Sequence, residues 1–410
     1  MNALSTMLLA LMAMALLLLF AWLLSTNRRA VSLRTVGGAF VLQVAIGGVA
    51  LYLPAGRRAL EGLSSGIGSI IAYGQTGIDF VFGDIGRFEV GFIFAFHVLP
   101  IIIFFSSLVA VLYHIGIMGW VIRVLGGALR RLLGTSPAES MSATANVFVS
   151  QTEAPLVIKP YLAGMSRSEI FAVMVGGMAT VAGSVLAGYV ALGVEMRYLL
   201  AASFMAAPGG LLMAKLMVPE ERAGVDVEQQ MNLSIEKSVN VFDAAATGAA
   251  NGLSLAVNIG AMLLAFVGLI ALLNGLLGWC GSLLGVDYLS LEWILGGLFR
   301  PLAFLLGVPW DQASVAGNLI GQKLVLNEFI AFGSFFEDRQ NLSPHAQAVV
   351  SFALCGFANF SSIAIVIGGL GTLAPDKRTM IAQMGLRAVF AGFMANLLSA
   401  AIASFFLSLA

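Results

Sequence analysis

The sequence predicts an all-α polytopic membrane protein with about eight transmembrane helices, two oppositely oriented re-entrant hairpins, interfacial helices and an inverted repeat. Three observations carry this prediction. The 410 residues are 59% hydrophobic and only 10% charged, at a mean hydropathy of +0.96, far from the balance of a soluble domain. Apolar runs of bilayer length recur along the whole chain. Acids, amides and glycines interrupt those runs at a few places, and a carboxylate at membrane depth costs at least about 2.5 kcal/mol, so each such place marks a partner, a cavity or a site. Formal net charge is zero, which indicates neither nucleic acid nor an acidic surface as a partner. Cys280 and Cys355 fall in or beside apolar segments and read as buried thiols, with neither a disulfide framework nor a metal site.

Residues 1 to 88 read as scaffold. The run 3 to 24 is unbroken and apolar, with no positive charge before it and Arg28, Arg29 and Arg34 after it. It reads as a retained anchor whose amino terminus lies outside. Residues 35 to 53 form a second span. Residues 56 to 80, interrupted by Gly, Ser, Glu61 and Asp79, suit a helix lying along the membrane surface.

Residues 89 to 217 form the first repeat. A span over 89 to 112 is followed by a short amphipathic helix over 117 to 133 carrying Arg123, Arg130 and Arg131. Residues 137 to 165 then hold Gln151, Thr152 and Glu153 at the centre of an otherwise apolar segment. Pro155 denies a helix one donor and biases Ala154 away from helical geometry, so the segment reads as a hairpin with a polar tip. Residues 168 to 193 contain the run from Gly176 to Ser184, whose glycines each weaken a helix by about 1 kcal/mol. A span broken at mid-depth is expected there, and 197 to 217 returns across the membrane. Residues 218 to 251, rich in Glu, Asp, Gln and Asn over 219 to 243, read as a polar cytoplasmic loop.

Residues 252 to 410 repeat the order. A span over 252 to 277 and an interfacial segment over 290 to 306 precede a hairpin over 313 to 337 that carries Lys323, Asn327 and Glu328. A span over 345 to 373 is interrupted by the run from Gly356 to Ser362, and a closing span follows. With one half starting outside and the other inside, the halves are inverted copies, an arrangement that puts substrate and ion sites near the midplane. Basic residues support this orientation. The cytoplasmic flanks would hold Arg28, Arg29, Arg34, Arg123, Arg130, Arg131, Arg167, Lys215, Arg222, Lys237, Lys377 and Arg378, against Arg57, Arg58, Arg87, Arg197, Arg300 and Arg339 outside.

The run Gly321-Gln-Lys323-Leu-Val-Leu-Asn327-Glu328-Phe329-Ile-Ala-Phe332 resembles the signature of the concentrative nucleoside transporters, with Ile330 where that pattern more often has Val. Gln151-Thr-Glu-Ala-Pro155 is similar to that family's first hairpin tip, and Gly356-Phe-Ala-Asn359 with Ser361 and Ser362 to its second broken helix. The resemblance covers essentially the whole chain and is of the bacterial type. It implies that Gln151, Thr152, Glu153 and Val185 receive the nucleobase, and that Glu328, Asn359 and Ser362, with Phe357 nearby, hold the ribose. It also implies a sodium ion between Asn146, Val149, Thr180 and Val181, with Thr180 standing where relatives have Ser. A homotrimer, with a scaffold and a mobile part that carries the site across the bilayer, is implied by the resemblance alone.

The chemistry agrees from below. Gln donates and accepts whereas ionised Glu only accepts, so Asn359 beside Glu328 suits a ribose diol. Unwound backbone frees carbonyls for a hard cation. The reading is therefore a sodium-coupled symporter of the inner membrane, importing nucleosides such as uridine by alternating access and using no cofactor beyond its coupling ion. Proton coupling is the alternative, since two buried carboxylates can titrate near neutrality. A transporter for another small polar solute is a further one, although two acids at the tips would repel an anion. In a blander reading Glu153 and Glu328 are structural ions paired with Lys159 and Lys323, and the glycine runs are close-packing surfaces. A channel would stripe polar residues along several spans. An intramembrane enzyme would show nucleophile or metal motifs that this sequence lacks.

Overall fold

The computed structural model describes residues 2–87, 91–221, 238–286 and 288–409. Its elements are helical throughout the described residues. Helix α1 (Ala3–Leu23) starts where the side chain of Asn2 accepts from the Ser5 amide, and α2 (Leu33–Leu51) where Ser32 does the same for Thr35. Helix α3 (Pro54–Phe82) follows, then α4 (Phe94–His97), α5 (Leu99–His114) and the amphipathic α6 (Ile117–Leu133).

The first hairpin comprises α7 (Pro137–Ala145), a non-helical tip and α8 (Ala154–Val157). A capping box between Ser136 and Glu139 opens α7. The first broken span is α9 (Arg167–Ala179) and α10 (Gly183–Ala191), separated by Thr180, Val181 and Ala182; α11 (Met196–Met217) follows. Lys215 on α11 ties the hairpin base down. It pairs with Glu139, donates to Ser168 Oγ at 3.0 Å and reaches Glu220 at 3.5 Å.

Helix α12 (Val241–Leu284) is longer than the sequence suggested, because eleven residues assigned to the polar loop, 241 to 251, are helical. Asn240 caps it by accepting from the Asp243 amide, and the alanines that follow favour helix over the loop implied by their polar neighbours. Most of the remaining loop, including Arg222 and Lys237, lies outside the described residues. At 1.5 Å per residue α12 is about 66 Å long, about twice a bilayer core. Then come α13 (Leu291–Leu305), the second hairpin of α14 (Ala313–Val325) and α15 (Glu328–Asp338), the second broken span of α16 (Pro344–Leu354) and α17 (Ser361–Leu373), and α18 (Arg378–Leu407).

Among the described residues seven helical stretches are long and apolar enough to cross a membrane, with α17 a shorter apolar helix. They fall into two classes by burial. The first broken span and α11 are each 94% buried over their most apolar window, whereas α12 is 11% buried there. The first pair, with α18, forms the centre. Helix α12 runs along α5 at the periphery, and an added Cβ at Gly252 would lie 2.8 Å from Ile103 Cα, so glycine lets the backbones touch. Cys355 is buried, but Cys280, expected to be buried, sits exposed on α12 because that helix has few neighbours in its own chain.

One side chain of α18 holds both broken spans. Asn396 donates from Nδ2 to the carbonyl of Ala179, the last residue of α9, at 2.6 Å, and to that of Cys355, which caps α16, at 2.9 Å. Its Oδ1 accepts from Lys323 Nζ of the second hairpin at 2.7 Å. Every hydrogen-bonding capacity of the amide but one lone pair is thus spent on groups that no water reaches. Replacing Asn396 by Leu would strand two carbonyls and an ammonium, each at about 1–3 kcal/mol. The thermal unfolding midpoint of purified Asn396→Leu is expected to fall by several degrees, roughly 4–10 °C, and a midpoint equal to that of the unsubstituted protein would contradict the pinning role.

Candidate functional site

The two hairpins and two breaks meet in an interlocked set of backbone bonds. The Gly183 amide donates to the Phe148 carbonyl at 3.1 Å, joining the first break to the first hairpin. The Phe360 amide donates to the Leu324 carbonyl at 3.2 Å, joining the second break to the second hairpin. Across the two halves, the Phe357 amide donates to the Thr180 carbonyl at 3.1 Å, so the breaks are bonded to each other.

The second hairpin turns at Leu326. Asn327 then caps α15 by accepting from the Ile330 amide at 2.9 Å, which leaves Glu328 as the first helical residue. A carboxylate at that position is favoured by the helix dipole. Glu328 is 3% exposed and accepts from Asn359 Nδ2 at 3.1 Å and from the Tyr189 hydroxyl at 3.3 Å. Asn359 Oδ1 in turn accepts from the Ser362 amide at 2.9 Å and from Ser361 Oγ at 2.7 Å, while Ser362 Oγ also donates to the Phe357 carbonyl. Glu328, Asn359, Ser362 and Phe357 therefore form one connected polar group on the second half.

The first hairpin reaches this group through its tip. Gln151 Nε2 donates to Ser362 Oγ at 3.4 Å, and Gln151 Oε1 is buried with no donor among the described residues. Thr152 is half-buried and packs against Gly369 of α17. Glu153 is exposed in the single chain; its Oε2 accepts from the Ser150 amide at 3.0 Å and from Ser150 Oγ at 2.9 Å, which shapes the tip. Val185 is buried in the first turn of α10. The direct ion pairs among the described residues include neither Glu153 with Lys159 nor Glu328 with Lys323, although the buried Glu328 and Lys323 lie near enough to attract each other.

Beside the tip lies a cluster of unengaged oxygens. The side chain of Asn146, 1% exposed, has neither its amide nitrogen nor its oxygen bonded. Thr180 Oγ1 donates to the Gly176 carbonyl at 2.9 Å, which leaves its lone pairs free. Among the described residues no backbone N–H donates to the carbonyls of Val149 or Val181, both outside helices. A buried amide with no partner costs free energy unless something supplies one, and this donor set suits a hard cation.

Two residues escaped the sequence reading. Tyr189 is fully buried, with its ring 4.5 Å from that of Phe332 and its hydroxyl on Glu328. The signal was a lone Tyr in an apolar helix, whose hydroxyl needs a buried acceptor. Asn396, an amide deep in the closing span, carried the same kind of signal.

Comparison with known proteins bears on what this arrangement does. The pattern of "Na+ dependent nucleoside transporter C-terminus" matches residues 198–404, that of "Na+ dependent nucleoside transporter N-terminus" residues 12–85, and that of "Nucleoside recognition" residues 95–196. The nucleoside permease NupC of Helicobacter pylori is 53% identical over 97% of each chain. The structure of CNTnw in an inward-facing substrate-bound state superposes at a TM-score of 0.94, with 53% identity over 98% of each chain. A doubly substituted form of CNTnw in an outward-facing state superposes at 0.94 over the same shares.

Gly177 offers a test of the packing at the tip, because a Cβ there would lie 2.7 Å from Gln151 Cβ. Gly177→Ala is expected to displace Gln151 and lower nucleoside uptake at least about tenfold, or roughly 1.4 kcal/mol, in protein that still purifies as a folded species. Uptake at the unsubstituted level would show that the tip need not sit against α9.

Proposed function

Because the chain belongs to the sodium-dependent nucleoside transporter family and is a multi-pass membrane transporter rather than an enzyme, we propose that it imports nucleosides such as uridine across the inner membrane by sodium symport. The single observation that carries this reading is the bond between Gln151 of the first hairpin and Ser362 of the second break. It makes the residues expected at the nucleobase continuous with those expected at the ribose. In this proposal Gln151, Thr152, Glu153 and Val185 face the base, whose edge both donates and accepts. Glu328 accepts from the ribose hydroxyls, Asn359 and Ser362 complete that contact, and Phe357 packs beside them.

The sodium ion is the second cargo. Asn146, Val149, Thr180 and Val181 supply its oxygens, a choice supported by the unpartnered Asn146 amide and the unaccepted carbonyls. Coupling has a short physical route. The Thr180 carbonyl accepts from the Phe357 amide, and Phe357 precedes Asn359 and Ser362, so a cation that fixes the first break also fixes the backbone presenting the ribose ligands. Substrate and ion then stabilise the same arrangement, which is what linkage requires.

Alternating access by an elevator movement is supported by the division of the chain into a buried centre of broken spans and a peripheral α5 and α12. A homotrimer is proposed on the family resemblance and on the apolar surface that α12 leaves uncovered, where Leu264 is 81% and Trp279 63% exposed.

Tritiated uridine uptake into proteoliposomes should be driven by an inward sodium gradient. Uptake driven by a proton gradient alone would select the proton-coupled alternative, and no uridine uptake under either would reject the substrate. Glu328→Gln should reduce uptake roughly ten- to a hundredfold, since a hydrogen bond to a charged acceptor in a dry site is worth roughly 1.5–3 kcal/mol, while the oligomer stays intact on size exclusion. Thr180→Val should raise the half-saturating sodium concentration about tenfold, the effect of roughly 1.4 kcal/mol; an unchanged sodium curve removes this hydroxyl from the ion's shell.

A further inference from the structure

Four spans turn at one face of the molecule. Helices α1 and α11 end there, tied by the Thr26 amide to the Met217 carbonyl at 2.9 Å, and α2 and α9 begin there. Among them, against α6 and the base of the first hairpin, lies a cavity of about 1150 Å³. Its wall includes none of the residues proposed for the nucleoside or the ion. Beside this face the Arg28 guanidinium stands 5.2 Å from the centre of the Trp22 ring, a pair that belongs at the level of lipid headgroups.

The charges on the wall differ in how they are answered. Glu139 and Glu220 pair with Lys215, and Glu169 accepts from the Ser166 amide at 2.7 Å. The arginines have no such partners. Arg34 of α2 and Arg123, Arg130 and Arg131 of α6 are exposed on the wall, and the ion pairs among the described residues include none of the four. Arg123 donates from Nε to the Gly119 carbonyl of its own helix at 3.2 Å. Arg130 and Arg131 suit the C-terminal end of α6, but Arg34 stands in the first turn of α2, where the helix dipole opposes a cation. The two helix ends lie close, since a Cβ at Gly134 would be 3.7 Å from Arg34 Nε. Like charges gathered in this way repel unless an anion joins them, and planar guanidinium forks match the oxygens of a phosphate.

The apolar side chains of α6 decide between the sources of that phosphate. In the single chain Trp120 is 62% and Leu132 59% exposed, and Ile117 and Val124 are also uncovered, so an outward apolar stripe runs beside the arginines. Acyl chains cover such a stripe, whereas a free phosphate makes no use of it. The cavity also exceeds the roughly 300–1,000 Å³ typical of a small-molecule site. We propose that it holds the phosphate of an anionic phospholipid whose acyl chains lie along Trp120, Val124 and Leu132. On the positive-inside reading this face is cytoplasmic, and the cytoplasmic leaflet supplies such lipids. Pro137 of α7 and Tyr161 beyond α8 share the wall with α2 and α6, so the headgroup ties the base of the first hairpin to the amino-terminal spans.

The test is lipid binding to the purified full chain in detergent, read by native mass spectrometry with dioleoyl-phosphatidylglycerol and dioleoyl-phosphatidylcholine as probes. The unsubstituted protein should hold phosphatidylglycerol at least about tenfold more tightly. Arg34→Gln combined with Arg130→Gln should weaken phosphatidylglycerol roughly 25-fold, at about fivefold for each charge, and leave phosphatidylcholine unmoved. Arg57→Gln with Arg58→Gln, on α3, should alter neither. Equal affinity of the unsubstituted protein for the two lipids, or a doubly substituted form as selective as its parent, overturns the inference. Excess inorganic phosphate should fail to displace the lipid; displacement by an equimolar amount would assign the cavity to free phosphate and reject the lipid. Should the double variant not assemble, Arg131→Gln alone reads the same preference, with a loss of about fivefold expected and no loss refuting the site. None of these measurements involves uptake, so the transport proposal is tested separately.

Discussion

A helix that stops halfway through a protein interior leaves carbonyls that water cannot satisfy, and the two broken spans stop in this way at Ala179 and at Leu354. The cost of those ends constrains the rest of the structure. Asn396 meets it at both places with one amide group, and α18 must therefore run within reach of both breaks. The interlocking bonds between hairpins and breaks follow, because each non-helical stretch borrows its partners from the other irregular stretches nearby. Irregular backbone is tolerated at membrane depth only where protein buries it or a polar space adjoins it.

The same constraint produces the chemistry. Backbone that has left the helix exposes carbonyls and amides at the centre of the molecule, together with the polar side chains that cap the resumed helices. Glu328 is both the first residue of α15 and the acceptor for Tyr189 and Asn359. Asn359 both turns the second break and bonds the acid. In the proposed reading, structure and recognition share atoms here, so that substrate and ion would act on the packing that positions them.

Much of this was legible in the chain. The break at Thr180 was visible as a cluster of glycines in an apolar span, and the hairpin tips as acids and amides at depths where only a site tolerates them. The polar connection was misjudged at its end, since Asn240 and Asp243 looked like loop residues when they cap a long helix. Cys280 reads as buried because a free thiol in an apolar segment usually is, but sequence does not say whether an apolar face meets protein or lipid. Tyr189 and Asn396 were missed because a single polar residue in a span has no periodic signature. Their importance comes from what lies across from them, which only packing reveals. The bonds that make the site one unit join residues as much as 217 positions apart, beyond the reach of local pattern.

The seam between α5 and α12 has a mechanical consequence. Gly252 lets the α12 backbone rest on Ile103 of α5 with no side chain interposed, and two rods joined so closely resist shear along their common axis. They behave as a single girder of double width. Helix α10 also lies against α5, so the first broken span meets the girder through that contact.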